Sequence, residues 1–159
     1  MKTLEITEQS ALSAFAKGSE SDRTLLKNLF PGQNFNLKIT DRIKSYADAC
    51  AEVGYMPLTI SDFAALPHKD QEATYAFHQL TIIARALNEG WEPDWNDGNQ
   101  YKYYPWFKHA ACGSGFSYVV FRFDFGFSSA GSRLYFKSCE LAEYAGKEFI
   151  SIYNQFLKI

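Results

Sequence analysis

As far as Gly90 the apolar residues recur at steps of three and four, and beyond it they alternate with polar ones. The first pattern is that of one-sided helices, the second that of half-buried strands. Residues 8–16 and 22–29 have helical composition, and Gly18-Ser19-Glu20-Ser21 separates them. Ser21 or Asp22 is placed to cap the second piece, in which Leu25, Leu26 and Leu29 share a face before Phe30-Pro31-Gly32 stops it. This predicts an N-terminal helical hairpin over residues 1–32, an appendage to a single domain spanning 1–159. A linker from Gln33 to Ile39 leads to a helix that starts at Thr40 or Asp41. Its one-sided stripe is Ile43, Tyr46, Ala47, Cys50 and Val53, with Gly54 just past its end. Thr59-Ile60-Ser61-Asp62 reads as the cap of a short helix ending near Leu66-Pro67. The clearest helix runs from about His68 to Glu89, with Ala76, Leu80, Ile83 and Leu87 as its stripe, widened by Phe77, Ile82 and Ala84. A stripe so wide predicts a central helix packed on more than one side. Gly90 ends it, and Pro93 prevents a restart.

Asn96-Asp97-Gly98-Asn99 is a turn signal. Tyr101 to Phe107 is β-prone, but Pro105 limits it to an edge strand or an extended loop. From Phe116 to Phe127 the chain alternates, with Val119, Phe121, Phe123, Phe125 and Phe127 on one face and Tyr118, Val120, Arg122 and Asp124 on the other. The loop Ser128–Gly131 then predicts an antiparallel return over Ser132–Lys137. Ser138 caps a final helix whose stripe is Leu141, Ala145, Phe149, Ile152 and Phe156, and the phenylalanine face of the hairpin is its expected partner. The prediction is an α+β fold: a helical N-terminal two-thirds, a small antiparallel sheet and a C-terminal helix packed on that sheet.

Composition narrows the class. The chain of 159 residues is 47% hydrophobic and 21% charged, and its aromatic content of 17% is high. Disorder is not expected, because disordered chains are poor in aromatics. No apolar run has the length of a membrane span. Met1 to Glu8 carries acids and lacks an apolar core, so no signal peptide is expected there. Cys50, Cys112 and Cys139 are odd in number and widely spaced, which fits free thiols and a cytoplasmic setting. The net charge of −2 speaks against a broadly basic nucleic-acid binder. Its distribution is uneven: residues 1–100 hold nine Lys/Arg against fourteen Asp/Glu, whereas 101–138 hold Lys102, Lys108, Arg122, Arg133 and Lys137 against Asp124 alone.

Three stretches carry a resemblance. They are Leu87-Asn88-Glu89-Gly90-Trp91-Glu92-Pro93-Asp94-Trp95-Asn96, then Tyr101-Lys102-Tyr103-Tyr104-Pro105-Trp106-Phe107, then Gly131-Ser132-Arg133-Leu134-Tyr135-Phe136-Lys137-Ser138 running into Glu140-Leu141-Ala142-Glu143-Tyr144-Ala145-Gly146. The chain after about residue 22 resembles a family of small proteins carried by bacterial genomes, prophages and phages, to which no activity or catalytic residues are assigned. The resemblance implies an accessory role in a mobile element, such as handling DNA or binding a host or phage protein.

The candidate chemistry is binding rather than catalysis. Trp91, Trp95, Tyr101, Tyr103, Tyr104, Trp106 and Phe107 are closely spaced and include every tryptophan. They either cover one end of the core or present a surface that grips a partner, with Trp91, Trp95, Tyr104 and Trp106 as its contacts. A second surface is expected on the outer hairpin face, where Tyr118, Arg122, Arg133, Tyr135 and Lys137 interleave charge with rings. Such a face can hold single-stranded nucleic acid, or it is a solvated sheet face with cross-strand pairs. The leading expectation is an unidentified protein partner, the alternative a nucleic acid; no cofactor or metal is implied, and oligomeric state is open. His109-Ala110-Ala111-Cys112 is a local hint of a nucleophile beside a base, without an orienting acid. His68 and His78 lack a ligand set, Asp94–Gly98 is out of register for a calcium loop, and Gly113-Ser114-Gly115 precedes a strand instead of following one.

Overall fold

The computed structural model describes residues 6–109 and 115–158. It opens with the expected helical hairpin, α1 (Glu8–Lys17) and α2 (Glu20–Leu29). Thr7 caps α1, its hydroxyl accepting from the Ser10 amide. The cap of α2 is Ser19, not Ser21 or Asp22, because Asp22 completes a reciprocal box with the Ser19 backbone. Ala11, Leu12 and Phe15 close a small core of their own with Phe35, whose ring stacks on Phe15 at 4.6 Å. Leu26 joins it, while Leu25 and Leu29 stay exposed. Lys17 ties the hairpin to the rest by donating to the Glu52 carbonyl.

The helix expected from Thr40 to Val53 is two pieces, α3 (Ile39–Arg42) and α4 (Tyr46–Val53). Ser45 explains the break: it caps α4 by accepting from the Asp48 amide, while Asp48 accepts from the Lys44 amide. Gly54 ends α4 with φ 77°, the left-handed turn expected of it. A short 3-10 turn, Ile60–Phe63, has the Thr59/Asp62 box, and then comes the central helix α5 (His68–Leu87). Leu80, Ile83 and Leu87 are fully buried, and α5 packs on α4 and on the last helix, as its wide stripe predicts.

The sheet is a two-stranded antiparallel hairpin of β1 (Lys102–His109) and β2 (Phe116–Asp124). The partner of β2 is therefore the Pro105 strand, not Ser132–Lys137, which contributes one bridge between Phe136 and Tyr103 on the opposite edge of β1. Tyr103 exchanges both backbone bonds with Phe136, so Pro105, two residues on, points its nitrogen to that same edge, beyond the bridge. The missing N–H of the proline costs no ladder bond, which is why a strand passes through it.

The C-terminal helix is also divided, into α6 (Cys139–Glu148) and α7 (Ile150–Leu157). Phe149 leaves helical geometry at φ −103°, ψ 25°, and the turn lets α6 lie on the hairpin while α7 lies on α5. Ser138 caps α6 as expected. The expectation that α6 covers the phenylalanine face holds only for Phe121; Phe123 and Phe125 are exposed and Phe127 is 86% exposed. The membership of that face also differs from the expected one: Trp106 pairs with Val120 and Phe107 with Tyr118, leaving Val119 as a bulge, so Tyr118 and not Val119 shares the Phe121 face. One extra residue inverts the alternation on either side of it.

Gly146 sets how closely α6 approaches the hairpin. A β-carbon there would stand 2.4 Å from the Tyr118 ring and 2.7 Å from the Pro105 β-carbon. Gly146→Ala gains roughly 1 kcal/mol of helix propensity, yet overpacking against two fixed rings is expected to reverse the sign. The expected net loss is about 1–3 kcal/mol, read as a lower urea midpoint at unchanged slope.

Candidate functional site

The junction of the helical and β halves is built from the end of α5. Asn88 is buried, and its amide reaches the strap 135–137: Nδ2 donates to the Tyr135 carbonyl at 2.7 Å and Oδ1 accepts from the Lys137 amide at 3.0 Å. Phe136 between them bonds to β1, so one side chain supplies what a neighbouring strand otherwise would. Glu89 follows with φ 49° and Gly90 with φ 86°. This turn aims the Glu89 carboxylate between Lys137 at 2.9 Å and Arg42 at 3.2 Å, and Arg42 is paired with Glu52 at 2.7 Å in the interior. Breaking such a buried pair strands a charge, so the network fixes α3, α4, α5 and the strap in one arrangement.

The segment 91–101 is laid over that junction. Lys102 is fully buried, its ammonium donating to the carbonyls of Gln100 at 2.9 Å and Asp97 at 3.1 Å and lying 5.3 Å from the Trp95 ring centre. Trp95 and Tyr104 each meet the Tyr135 ring edge-on at 5.3 Å. The Tyr135 hydroxyl donates to Asp124 at 2.5 Å and accepts from the amides of Ser129 and Ala130, which closes the 124–135 loop. Burial first, and then the Asp124 carboxylate, hold this phenol above its usual range, so it remains a donor. Asp94 and Asp97 serve as turn acceptors for the Asn96 and Asn99 amides. The aromatic segment is thus largely the seal of the junction.

The nine residues expected to bind therefore lie in different places. Trp91 and Trp95, half-buried, line a cleft with Arg133 and Tyr135. Tyr104 is buried, and Trp106, 46% exposed, carries the Arg122 guanidinium 5.7 Å from its ring centre. Tyr118 lies on the other face of the hairpin, against Gly146 and under Lys147. Tyr135 is buried and Lys137 is paired with Glu89. The expected shared face of Tyr118, Arg122, Arg133, Tyr135 and Lys137 is not formed. Two causes act: the Val119 bulge separates Tyr118 from Arg122, and residues 133–137 are strap, not strand partner, to β2.

What does open to solvent is a groove along the outward side of α5. Thr74, His78, Thr81 and Arg85 recur at steps of four, three and four and floor it for about 16 Å. A cavity of about 540 Å³ at one end has Tyr55, Met56, Leu58, Phe63 and Phe77 as apolar walls. A second, of about 280 Å³, holds Trp91, Pro93 and Trp95. They meet at Thr81, Arg85 and Arg133, which line both. Met56 is 86% exposed. Arg85 donates to the Tyr55 hydroxyl at 3.2 Å and lies over that ring, whereas Arg133 has no ion pair or hydrogen-bond partner among the described residues. Burial, and then the Arg85 charge, push His78 below the usual imidazole range, so it is neutral at pH 7. Tyr55, Met56, Thr81 and Arg85 escaped the sequence reading, and His78 entered it only as a metal-ligand candidate without a ligand set. Their signal was the face of α5 opposite its core stripe, next to the apolar run after Gly54.

The local hint of a nucleophile cannot be followed to its end, since Cys112 lies outside the described residues. His109 is exposed at the end of β1, edge-on to Phe116 at 5.0 Å. Burial raises the thiols of Cys50 and Cys139 above their usual range, which keeps them protonated. Among the described residues no three His, Cys, Asp or Glu side chains are grouped to hold a metal, and no helix is long and apolar enough to cross a membrane. Compared with protein-family models, curated proteins and solved structures, the chain matches none.

Asn88→Ala removes the partner of two backbone groups at once. The expected loss is about 2–4 kcal/mol of unfolding free energy, with faster amide exchange at Lys137 as the local readout. In the intact protein an aqueous quencher is expected to reach Trp106 ahead of Trp91 and Trp95, so Trp106→Phe should remove the most quenchable component of the fluorescence.

Proposed function

We propose that this chain is a non-enzymatic binding module that grips a short amphipathic helix of another protein in the groove along α5. The observation that carries this reading is the pairing of exposed apolar walls with unspent positive charge. Tyr55, Met56, Leu58 and Phe77 offer a desolvating wall, and Arg133 stands where the two cavities meet without an ion-pair partner among the described residues, Glu92 lining the smaller cavity but making no salt bridge to it. A helix whose apolar face fills the wall and whose Asp or Glu reaches Arg133 and Arg85 matches that pattern in both shape and sign. The groove length of about 16 Å corresponds to roughly three turns of such a helix. Trp91 and Trp95 add rigid contact area at one end. The setting suggested by the resemblance, an accessory protein of a phage or other mobile element, agrees with a role exercised through contacts.

The test uses a displayed library of random dodecapeptides panned on the folded protein. Enriched sequences are expected to space apolar residues at three and four and to carry an acid. Their affinity should fall about tenfold or more on Met56→Asp, and again on Arg133→Glu, with the thermal midpoint unchanged. Peptides that bind both variants as well as the parent, or a library that yields no enrichment over the Met56→Asp protein, would remove this reading.

A further inference from the structure

A separate pocket lies on the far side of the strap, between the hairpin and α7. Its volume is about 340 Å³, and Trp106, Phe107, Phe116, Leu134, Phe156 and Leu157 supply most of its apolar wall. No charged side chain lines it. Three of the lining residues carry a hydroxyl: Ser129, which is exposed, and Tyr104 and Tyr153, which are only 6% and 4% exposed and whose hydroxyls are the buried ones.

These two hydroxyls differ from those of the other buried tyrosines. The Tyr46 hydroxyl accepts from the Leu58 amide, and that of Tyr135 is bonded to Asp124 and to two amides. The half-buried Tyr144 donates to the Ile43 carbonyl. Among the described residues neither Tyr104 nor Tyr153 has a hydrogen-bond partner for its hydroxyl, and both belong to the same pocket. A buried, unpaired hydroxyl costs free energy that a suitable partner recovers. Burial alone drives the Tyr153 phenol far above its usual range, so it keeps its proton and stays a donor. Its ring is fixed by Phe107, 4.6 Å away.

We propose that this pocket binds a small, uncharged, largely aromatic molecule whose carbonyl or hydroxyl oxygens pair with the hydroxyls of Tyr153 and Tyr104. The chemistry follows from the lining. An apolar wall with few convergent polar groups is the usual make-up of a small-molecule site. The absence of a lining charge selects against ionised ligands, which would lose their hydration without a counter-charge. A dry cavity of roughly 150 Å³ holds one benzene ring, so the space here suits about two fused rings with a short polar substituent. The site is independent of the α5 groove, sharing no lining residue with it.

The probe is methyl naphthyl ketone, with naphthalene and naphthalene sulfonate as comparisons, titrated into the full chain and followed by backbone amide shifts. The ketone is expected to move the resonances of Phe107, Phe116 and Leu157, and the sulfonate is expected to leave them in place. Tyr153→Phe should weaken the ketone roughly five- to tenfold while leaving naphthalene unchanged. A ketone affinity equal in the parent and in the Tyr104→Phe/Tyr153→Phe double variant would overturn the proposal, as would a ketone that leaves the pocket resonances unmoved up to its solubility limit. The unliganded variant gives a second reading. Tyr153→Phe is expected to keep or raise the urea midpoint, since it removes an unpaired group; a lower midpoint means the hydroxyl is already bonded, and the proposal fails.

Discussion

At the end of α5 the chain must leave helical geometry while two successive side chains still have interior work to do. Asn88 lends its amide to the strap 135–137, and Glu89 turns into the left-handed region to stand between Arg42 and Lys137. The strap in turn is bonded to β1 through Phe136, and its Tyr135 closes the 124–135 loop. Everything beyond Gly90 is thereby referred to the last turn of one helix. The Trp95–Lys102 contact and the seal over the junction are downstream of it, because both rest on the position of Tyr135.

This dependence separates the aromatic residues into two populations with different physics. Tyr104, Tyr135 and Trp95 are held ring against ring, and Tyr135 by hydrogen bonds as well, so the area they bury there is already committed to stability. Tyr55, Phe77 and Met56 contribute area that remains in water and can still be removed from it. Charge divides in the same way. Arg42 and Lys137 are neutralised within the fold, whereas Arg133 is not paired among the described residues. The opposition between an acidic helical half and a basic β half is real in sequence, but the fold spends part of it across their junction.

Local signals survived into the structure. Gly54 in its left-handed turn, Thr59 at the start of a short turn, Ser138 as a cap and the core stripe of α5 depend on neighbours within one or two turns and formed as expected, although the short helix expected to reach Leu66-Pro67 is a 3-10 turn over Ile60–Phe63. Helix breaks were less legible, since Ser45 competes with a run of apolar spacing and Phe149 carries no breaker signature of its own. Strand pairing was not legible at all. Whether Phe116–Asp124 pairs with the strand before it or the segment after it is decided by contacts far apart in sequence, among them Asn88 to residues 135 and 137. An asparagine that stands in for a strand has no local mark. The candidate site is the least legible part, because strict alternation along the chain carries no mark of the Val119 bulge, which shifts every face assignment across it.

That bulge also bears on how copies of this chain behave toward one another. Among the described residues β2 pairs only with β1, which leaves its outer edge with free backbone donors and acceptors beside Val119 and Phe123, both exposed. A flat edge of that composition is a template for adding strands from other molecules. The extra residue breaks the regular spacing of those groups and bends the edge away from a straight partner. A local irregularity that confuses the reading of faces thus doubles as protection against aggregation.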